Sequence, residues 1–413
     1  MSGTEQDERA RVVIAGGGIA GLETLLALND LAGDRLDLTL VAPEPDFIYR
    51  PLVIDEAFSL SPAEHRELEP LAHELGARFV QQPLAAVRTD DRAVALGDGS
   101  ELAYDALVVC IGGRPRPVYT QAVTFWDTSE RLEIRNLLKQ AAASASKRLA
   151  FVVPPGVTWS LPLYELALMF EREARVAEGG EVELVIVTPE AAPLTLFGEQ
   201  ASQAVAELLQ SRGIEVRVGS YVSEAAGSLM ITPGHERLEA GAAIALPVID
   251  GPAISGLPAD AGGFIPIDEH ARVKGADGVY AAGDGTNFPI KQGGIGTQEA
   301  DAAAEHIAAR FAGHLDPAPF RPVLRGKLIT GDETLSMLAD VAGGAGEGVA
   351  SADYLWWPPH KVSGRYLAPY LVGAVVYQDP EPPGHSLDVE VALPTEWHRE
   401  PMRVDAYGPL PSG

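Results

Sequence analysis

A single cysteine, Cys110, is all the thiol chemistry this 413-residue chain holds. One cysteine excludes an intrachain disulfide, a two-cysteine redox centre and a cysteine-rich metal cluster. Positive charge is scarce as well: 31 lysines and arginines stand against 58 aspartates and glutamates, a formal charge of −27. No basic stripe is left for a phosphate backbone, so no nucleic-acid partner is expected. Metal-ligand spacing is missing too. His65 and His73, like His306 and His314, lie eight residues apart without a carboxylate or cysteine set around them, and no metal is expected. Long apolar runs are absent: the uncharged stretch Tyr366 to Tyr377 is twelve residues long and contains Pro369, against the ~20 residues of a spanning helix. The acidic start "MSGTEQDERA" runs straight into a strand and does not read as a signal peptide. These absences, with 46% hydrophobic and 22% charged residues, give the expectation of a globular cytoplasmic protein of two or three domains.

Glycine is present where it matters. "RVVIAGGGIAGLETLLALNDL" begins as a buried-type strand at Val12 to Ala15, turns through Gly16, Gly18 and Gly21 with Ile19 and Ala20 between them, and continues as a helix carrying Leu22, Leu25, Leu26 and Leu28. A GxGxxG between strand and helix is a dinucleotide site. The glycines allow a tight turn, close backbone approach to a pyrophosphate and close helix packing, while the helix N-terminus faces the negative charge. The second strand runs out at Val41 and Ala42, and Glu44 is the expected acid for the ribose hydroxyls. Two later segments point to a flavin. "ELAYDALVVCIGGRP" breaks at Gly112-Gly113, and "VYAAGDGTNFPIKQGG" leads from a strand through Gly283-Asp284 to a helix. An acid at a strand end suits ribityl hydroxyls, and a helix start behind Lys291 offers N–H groups and a cation to the pyrimidine edge of a reduced flavin.

On "GGGIAGLE", "FIYRPL", "VVCIGGRP", "PPGVTWSLPLYE" and "VYAAGDGTNFPIKQGG" the chain resembles the FAD-dependent pyridine nucleotide-disulfide oxidoreductase superfamily over roughly residues 11 to 340. It is most similar there to the sulfide:quinone oxidoreductase and flavocytochrome c sulfide dehydrogenase branch, with type II NADH dehydrogenases next. The resemblance implies an α/β fold of two Rossmann-like dinucleotide-binding domains, glutathione-reductase-like, with a C-terminal α+β segment. Residues 1–118 and 262–320 would form a discontinuous FAD-binding domain, 119–261 an inserted Rossmann-like domain, and 321–413 a C-terminal interface segment. It further implies FAD, held by Gly16, Gly18, Ile19, Ala20, Gly21, Glu44, Arg50, Gly112, Gly113, Gly283 and Asp284, with Lys291, Gln292 and Gly293 near the ring.

The inserted unit alternates strand and helix, which argues a second parallel sheet with right-handed crossovers. NADH-using relatives carry GxGxxGxE at its first turn; here "PPGVTWSLPLYE" keeps Gly156 and Glu165 alone. Pro154, Pro155, Trp159 and Pro162 argue against NADH bound in the usual way, because side chains hold a phosphate out of N–H range. In the sulfide-oxidising branch a similar proline-rich stretch carries a redox cysteine; Thr158-Trp159 stands in that place, and no partner cysteine follows. Cys110 ends the buried-type strand "ALVVC" and reads as a small hydrophobe rather than a nucleophile. Glu165 is the candidate proton carrier beside the flavin, Lys291 the second candidate catalytic residue.

The C-terminal stretch reads as a hairpin in "LRGKLITGDETLSMLADVAGG", an aromatic run, and a half-buried strand with Leu387, Val389, Val391 and Leu393 alternating. The run Tyr366 to Tyr377 suits a core helix or homodimer interface; few cations flank it for a peripheral contact with the inner face of the membrane. Three functions stay open on the residues: a flavoenzyme moving two electrons from a small-molecule donor to an acceptor such as a quinone without a cysteine relay, an NAD(P)H-dependent reductase with atypical nucleotide docking, and a non-catalytic FAD-containing scaffold.

Overall fold

A computed structural model describes residues 9–54, 58, 65–126, 131–176, 182–313, 316–320, 322–331, 334–340, 349–351, 355–356, 358 and 360–373. In chain order the first sheet takes β1 (Ala10–Ala15), β2 (Leu36–Ala42), β3 (Arg78–Gln81) and β4 (Ala106–Val109). A second sheet takes β5 (Val123–Thr124), β6 (Arg148–Val152), β7 (Glu183–Val187), β8 (Glu215–Arg217) and β9 (Ala242–Ala245), after which β10 (Val279–Ala281) returns to the first. Every pairing in both sheets is parallel. Side by side the strands run β3-β2-β1-β4-β10 and β8-β7-β6-β9-β5, alike in the first four and differing in the fifth, which comes last in the chain in one sheet and first in the other. The strands carry near-continuous apolar runs such as Val12-Val13-Ile14-Ala15 and Leu149-Ala150-Phe151-Val152, as strands covered on both faces must.

The connections are helices, of which the one at Leu68–Glu74 was not expected from the sequence. In chain order they are α1 (Ile19–Ala32), α2 (Leu68–Glu74), α3 (Arg131–Ala143), α4 (Leu161–Val176), α5 (Gly198–Ser211) and α6 (Gly293–Ala312). In each sheet the strand order reverses beside the central strand, at β1–β4 and β6–β9, and ligands of open α/β sheets bind outside the carboxyl ends at such points. Arg114–Arg116 and Val248–Asp250 pair antiparallel, so the two chain crossings between the units run side by side. Two small antiparallel sheets were not expected: Leu84–Arg88 with Ala93–Leu96 and Glu101–Ala103, and Tyr221–Ala225 with Ser228–Thr232 and Glu236–Arg237.

The expected hairpin is present as β11 (Val323–Ile329) and β12 (Thr334–Asp340), joined by β13 (Val349–Ser351). Leu324, Leu328, Met337 and Ala339 are buried in one core with Leu166, Phe170 and Phe197, so the hairpin roofs the second unit. A short helix, α7 (Leu367–Leu371), buries Leu367, Ala368, Pro369 and Leu371, with Leu367 and Leu371 packed in the core of the first unit. The strand expected at Leu387 to Leu393, and the run beyond Gly373, lie outside the described residues. Among the described residues no helix is long and apolar enough to cross a membrane.

Candidate functional site

Three glycine turns converge at the carboxyl ends of β1, β4 and β10. Gly16 has φ +124°, and a Cβ there would meet the Cys110 carbonyl oxygen at 2.2 Å; a Cβ on Gly21 would meet the Gly16 oxygen at 1.8 Å. Gly18, by contrast, has nothing within 4 Å of its would-be Cβ, and so has Gly112. Gly18 is also the N-cap of α1 and makes no side-chain capping bond, and no acid stands in the first turn. A bare helix N-terminus beside open space suits an anion. Ile19 and Ala20 connect this turn to the third one: the Ile19 side chain lies by Gly293, and Ala20 Cβ would stand 3.2 Å from a Cβ on Gly283. Gly113 is held close to Ile249 and to the Asp284 carbonyl, which brings the second and third turns together. The residues present therefore fit an extended dinucleotide. Glu44 is exposed on the turn after β2.

The charged members of the site act on one another. Burial raises the Asp284 carboxyl, and Lys291 and Arg50 pull against that shift. Arg50 is exposed, with its guanidinium 5.2 Å from the Trp126 ring centroid. Lys291 was expected to present its ammonium to the pyrimidine edge. Its Nζ instead donates to the carbonyls of Thr286 (2.6 Å) and Phe288 (2.7 Å) and sits 3.9 Å from the Phe264 ring. Two of its three N–H groups thus hold the loop itself, and burial pushes its pKa down to about 8. Gln292 caps α6, accepting from Ile295 N at 2.9 Å and donating to the Arg325 carbonyl at 3.1 Å. A residue the sequence did not flag underlies this loop: buried Glu299 accepts from Gly283 N (2.7 Å) and Thr286 Oγ1 (2.9 Å), and burial raises it to about 8. Its signal was the i+4 stripe Ile295, Glu299, Ala303, all buried.

In the second unit Val153 to Ser160 separates β6 from α4, and Trp159 packs edge-on against Phe197 with centroids 5.7 Å apart. Glu165 is wholly buried in α4. It accepts from Ile329 N on β11 at 2.8 Å and from Lys361 Nζ at 2.5 Å, Lys361 being 9% exposed. Lys361 belongs to a strap, residues 360–371, that crosses the first unit. Tyr49 Oη pairs with His360 Nδ1 and accepts from Val362 N, both at 2.7 Å; Val362 touches the Gly293 position; and Glu23 accepts from Tyr366 N and Leu367 N at 2.8 and 2.7 Å. Glu23 is buried beside Asp301; burial raises Glu23 to about 7 and Asp301 well above the usual carboxylate range. The strap thus brings Lys361 to Glu165 and Val362 to the Gly293 end of the glycine turns. Neither Lys361 nor Glu23 was singled out by its sequence context.

Paired Rossmann units with converging glycine turns at one switch point define a dinucleotide-dependent oxidoreductase fold. Residues 10–306 match the family model described as pyridine nucleotide-disulphide oxidoreductase, and the chain belongs to that family as an FAD-dependent oxidoreductase. It is 22% identical over 350 residues to a probable NADH dehydrogenase of Dictyostelium discoideum, covering 76% of each chain. It is 24% identical over 352 residues to a demethylphylloquinone reductase of Synechocystis, covering 77% of this chain and 84% of the other. Among solved structures, the sulfide:quinone oxidoreductase of Aquifex aeolicus superposes with a TM-score of 0.74 at 20% identity, over 83% of this chain and 86% of that one. The likeness in structure is one of fold.

Proposed function

We propose that this chain binds FAD along the carboxyl ends of β1, β2, β4 and β10 and passes two electrons from a small-molecule donor to an acceptor such as a quinone, without a thiol relay. The observation that carries the last clause is Cys110: the sole cysteine is buried at the end of β4, and burial pushes its thiol up to about 12. A relay needs a thiolate, and this group stays a thiol. Gly16, Gly18, Ile19, Ala20 and Gly21 would hold the pyrophosphate, Glu44 the ribose, Arg50, Gly112, Gly113, Gly283 and Asp284 the middle of the cofactor, and Lys291, Gln292 and Gly293 its ring. FAD, when bound, supplies the two-electron chemistry. The same reading assigns residues 1–118 and 262–320 to the FAD unit, 119–261 to the inserted unit and 321–413 to a C-terminal interface segment.

What the chain adds is proton management. Glu165 is dry, and Lys361, slightly exposed, is its link toward solvent. An acid and a base in one hydrogen bond can hold or move a proton as charge changes nearby. The relatives' names support the acceptor, since two of them act on quinones by name. The name of the Dictyostelium relative supports a second reading, NADH as donor, with docking outside the second unit's first turn.

Anaerobic mixing with NADH, NADPH, sulfide and a reduced quinone, followed by flavin bleaching, separates these. We expect one FAD per chain and rapid bleaching by one donor; a colourless protein that refuses FAD overturns the reading. Glu165→Gln should keep its flavin and slow the proton-moving half-reaction by about 10²–10⁴. Unchanged rates in that variant would leave Glu165 as a structural partner of Lys361.

A further inference from the structure

The two units can be aligned residue by residue where their first and second strands end. Ala15 pairs with Val41 on β2, and Val152 pairs with Val187 on β7. The next residue then donates back to the same strand in each: Gly16 N to Val41 O at 2.7 Å, Val153 N to Val187 O at 2.9 Å. From this register the second strands end alike, as Val41-Ala42-Pro43-Glu44 and Val187-Thr188-Pro189-Glu190. Glu190 is thus the counterpart of Glu44, in the position where a Rossmann unit keeps its acid for the ribose hydroxyls.

The two acids live in different surroundings. Glu44 is exposed, whereas Glu190 is 8% exposed. Its carboxylate accepts from three hydroxyls of its own unit: Ser160 Oγ at 3.0 Å, Tyr164 Oη at 2.7 Å and Thr188 Oγ1 at 2.9 Å. A ribose offers two hydroxyls to such an acid, and a carboxylate has about four lone-pair sites. Here three are filled from within. Ser160 and Tyr164 flank the start of α4, the place a bound nucleotide would approach. The loop agrees with the acid. Three positions separate Gly16 from the first residue of α1, but eight separate Val153 from the first residue of α4, and they include Pro154 and Pro155, which have no N–H to give.

We propose that Ser160, Tyr164 and Thr188 act as a built-in substitute for a nucleotide ribose on Glu190, closing the second unit to NADH and NADPH. The inference rests on the reading of the chain as a flavin oxidoreductase, which it narrows: a donor does not dock through the second Rossmann turn. The Tyr164 bond to Glu190, on the turn after β7, ties the first turn of α4 to that turn.

The test is equilibrium dialysis of the full FAD-loaded chain against NADH and against ADP-ribose, for wild type and Glu190→Gln. Flavin content, read from absorbance, reports separately on the functional reading. Neither probe should bind saturably up to about 1 mM in either protein. Saturable binding that Glu190→Gln weakens by about tenfold or more overturns the proposal. NADH binding that the substitution leaves unchanged puts the nucleotide elsewhere and keeps the turn closed. Should Glu190→Gln fail to fold, hydrogen exchange on wild type decides: protection of residues 154–164 and 188–190 by NADH overturns the closure, and unchanged exchange there supports it.

Discussion

Gly18 and Gly21 stand three residues apart and do opposite things. Around Gly18 a Cβ finds open space, and its φ of −89° suits any residue; a Cβ on Gly21 collides with the Gly16 carbonyl at 1.8 Å. Gly18→Val should therefore fold and lose its flavin, because the side chain enters the space a pyrophosphate would take. Gly21→Val should fail to fold, since backbone must move. Absorbance for flavin and circular dichroism for fold distinguish the two, and a Gly18→Val protein that stays yellow would remove that turn from the site. Cys110→Ser should leave activity within about threefold of wild type, because the thiol is buried and bonded only weakly to Thr24 Oγ1 at 3.7 Å. These glycines were legible in the sequence because their constraint is local. Glu190 and Lys361 were not, because Glu190 meets Ser160 and Tyr164 from 30 and 26 residues away and Lys361 meets Glu165 from 196; Glu299 left only its place in a buried helical stripe, while its partners lie 16 and 13 residues away.

At the level of elements, α4 and the strap depend on each other. The Glu165–Lys361 bond joins a helix of the second unit to a segment that Tyr49 and Glu23 fasten to the first. Lys361→Met takes a cation from a fully buried carboxylate, and losing one partner of a buried pair destabilises by about 3–5 kcal/mol. The double variant Lys361→Met/Glu165→Gln should recover much of that loss in denaturant unfolding; a single variant as stable as wild type would make the pair energetically idle. Parallel strands, their helices and the β11–β12 hairpin were legible from apolar runs and spacing. The two small antiparallel sheets were not, since their strands are only two to five residues long, too few for an alternation to stand out from the sequence around it.

For the whole molecule the buried acids set the pH response. Burial raises Glu23 from 4.5 to about 7 and Glu299 from 4.5 to about 8. An acid raised on folding keeps its proton in the native state where the unfolded chain has lost it, so stability is full below pH 4.5 and falls as pH climbs through the folded value. The protein should accordingly melt at a lower temperature at pH 7.5 than at pH 5. Glu23→Gln should flatten the slope between pH 4.5 and 7 by up to about 1.4 kcal/mol per pH unit, the worth of one proton. Thermal melts across that range check it; an unchanged slope would mean that Glu23 is ionised in the folded protein.

The strap has a consequence for how the protein is made. Glu23 emerges from the ribosome early, yet its N–H partners belong to residues 366 and 367. At about 5–20 residues per second, translation separates them by tens of seconds. For most of that interval β1, α1 and β2 exist without β10, and for all of it Glu23 lacks its latch. On the proposed reading FAD would be held fully only once that last wall arrives. A nascent chain arrested at residue 358 should bind FAD but release it faster than the full chain, a difference that flavin exchange on stalled ribosomes would measure.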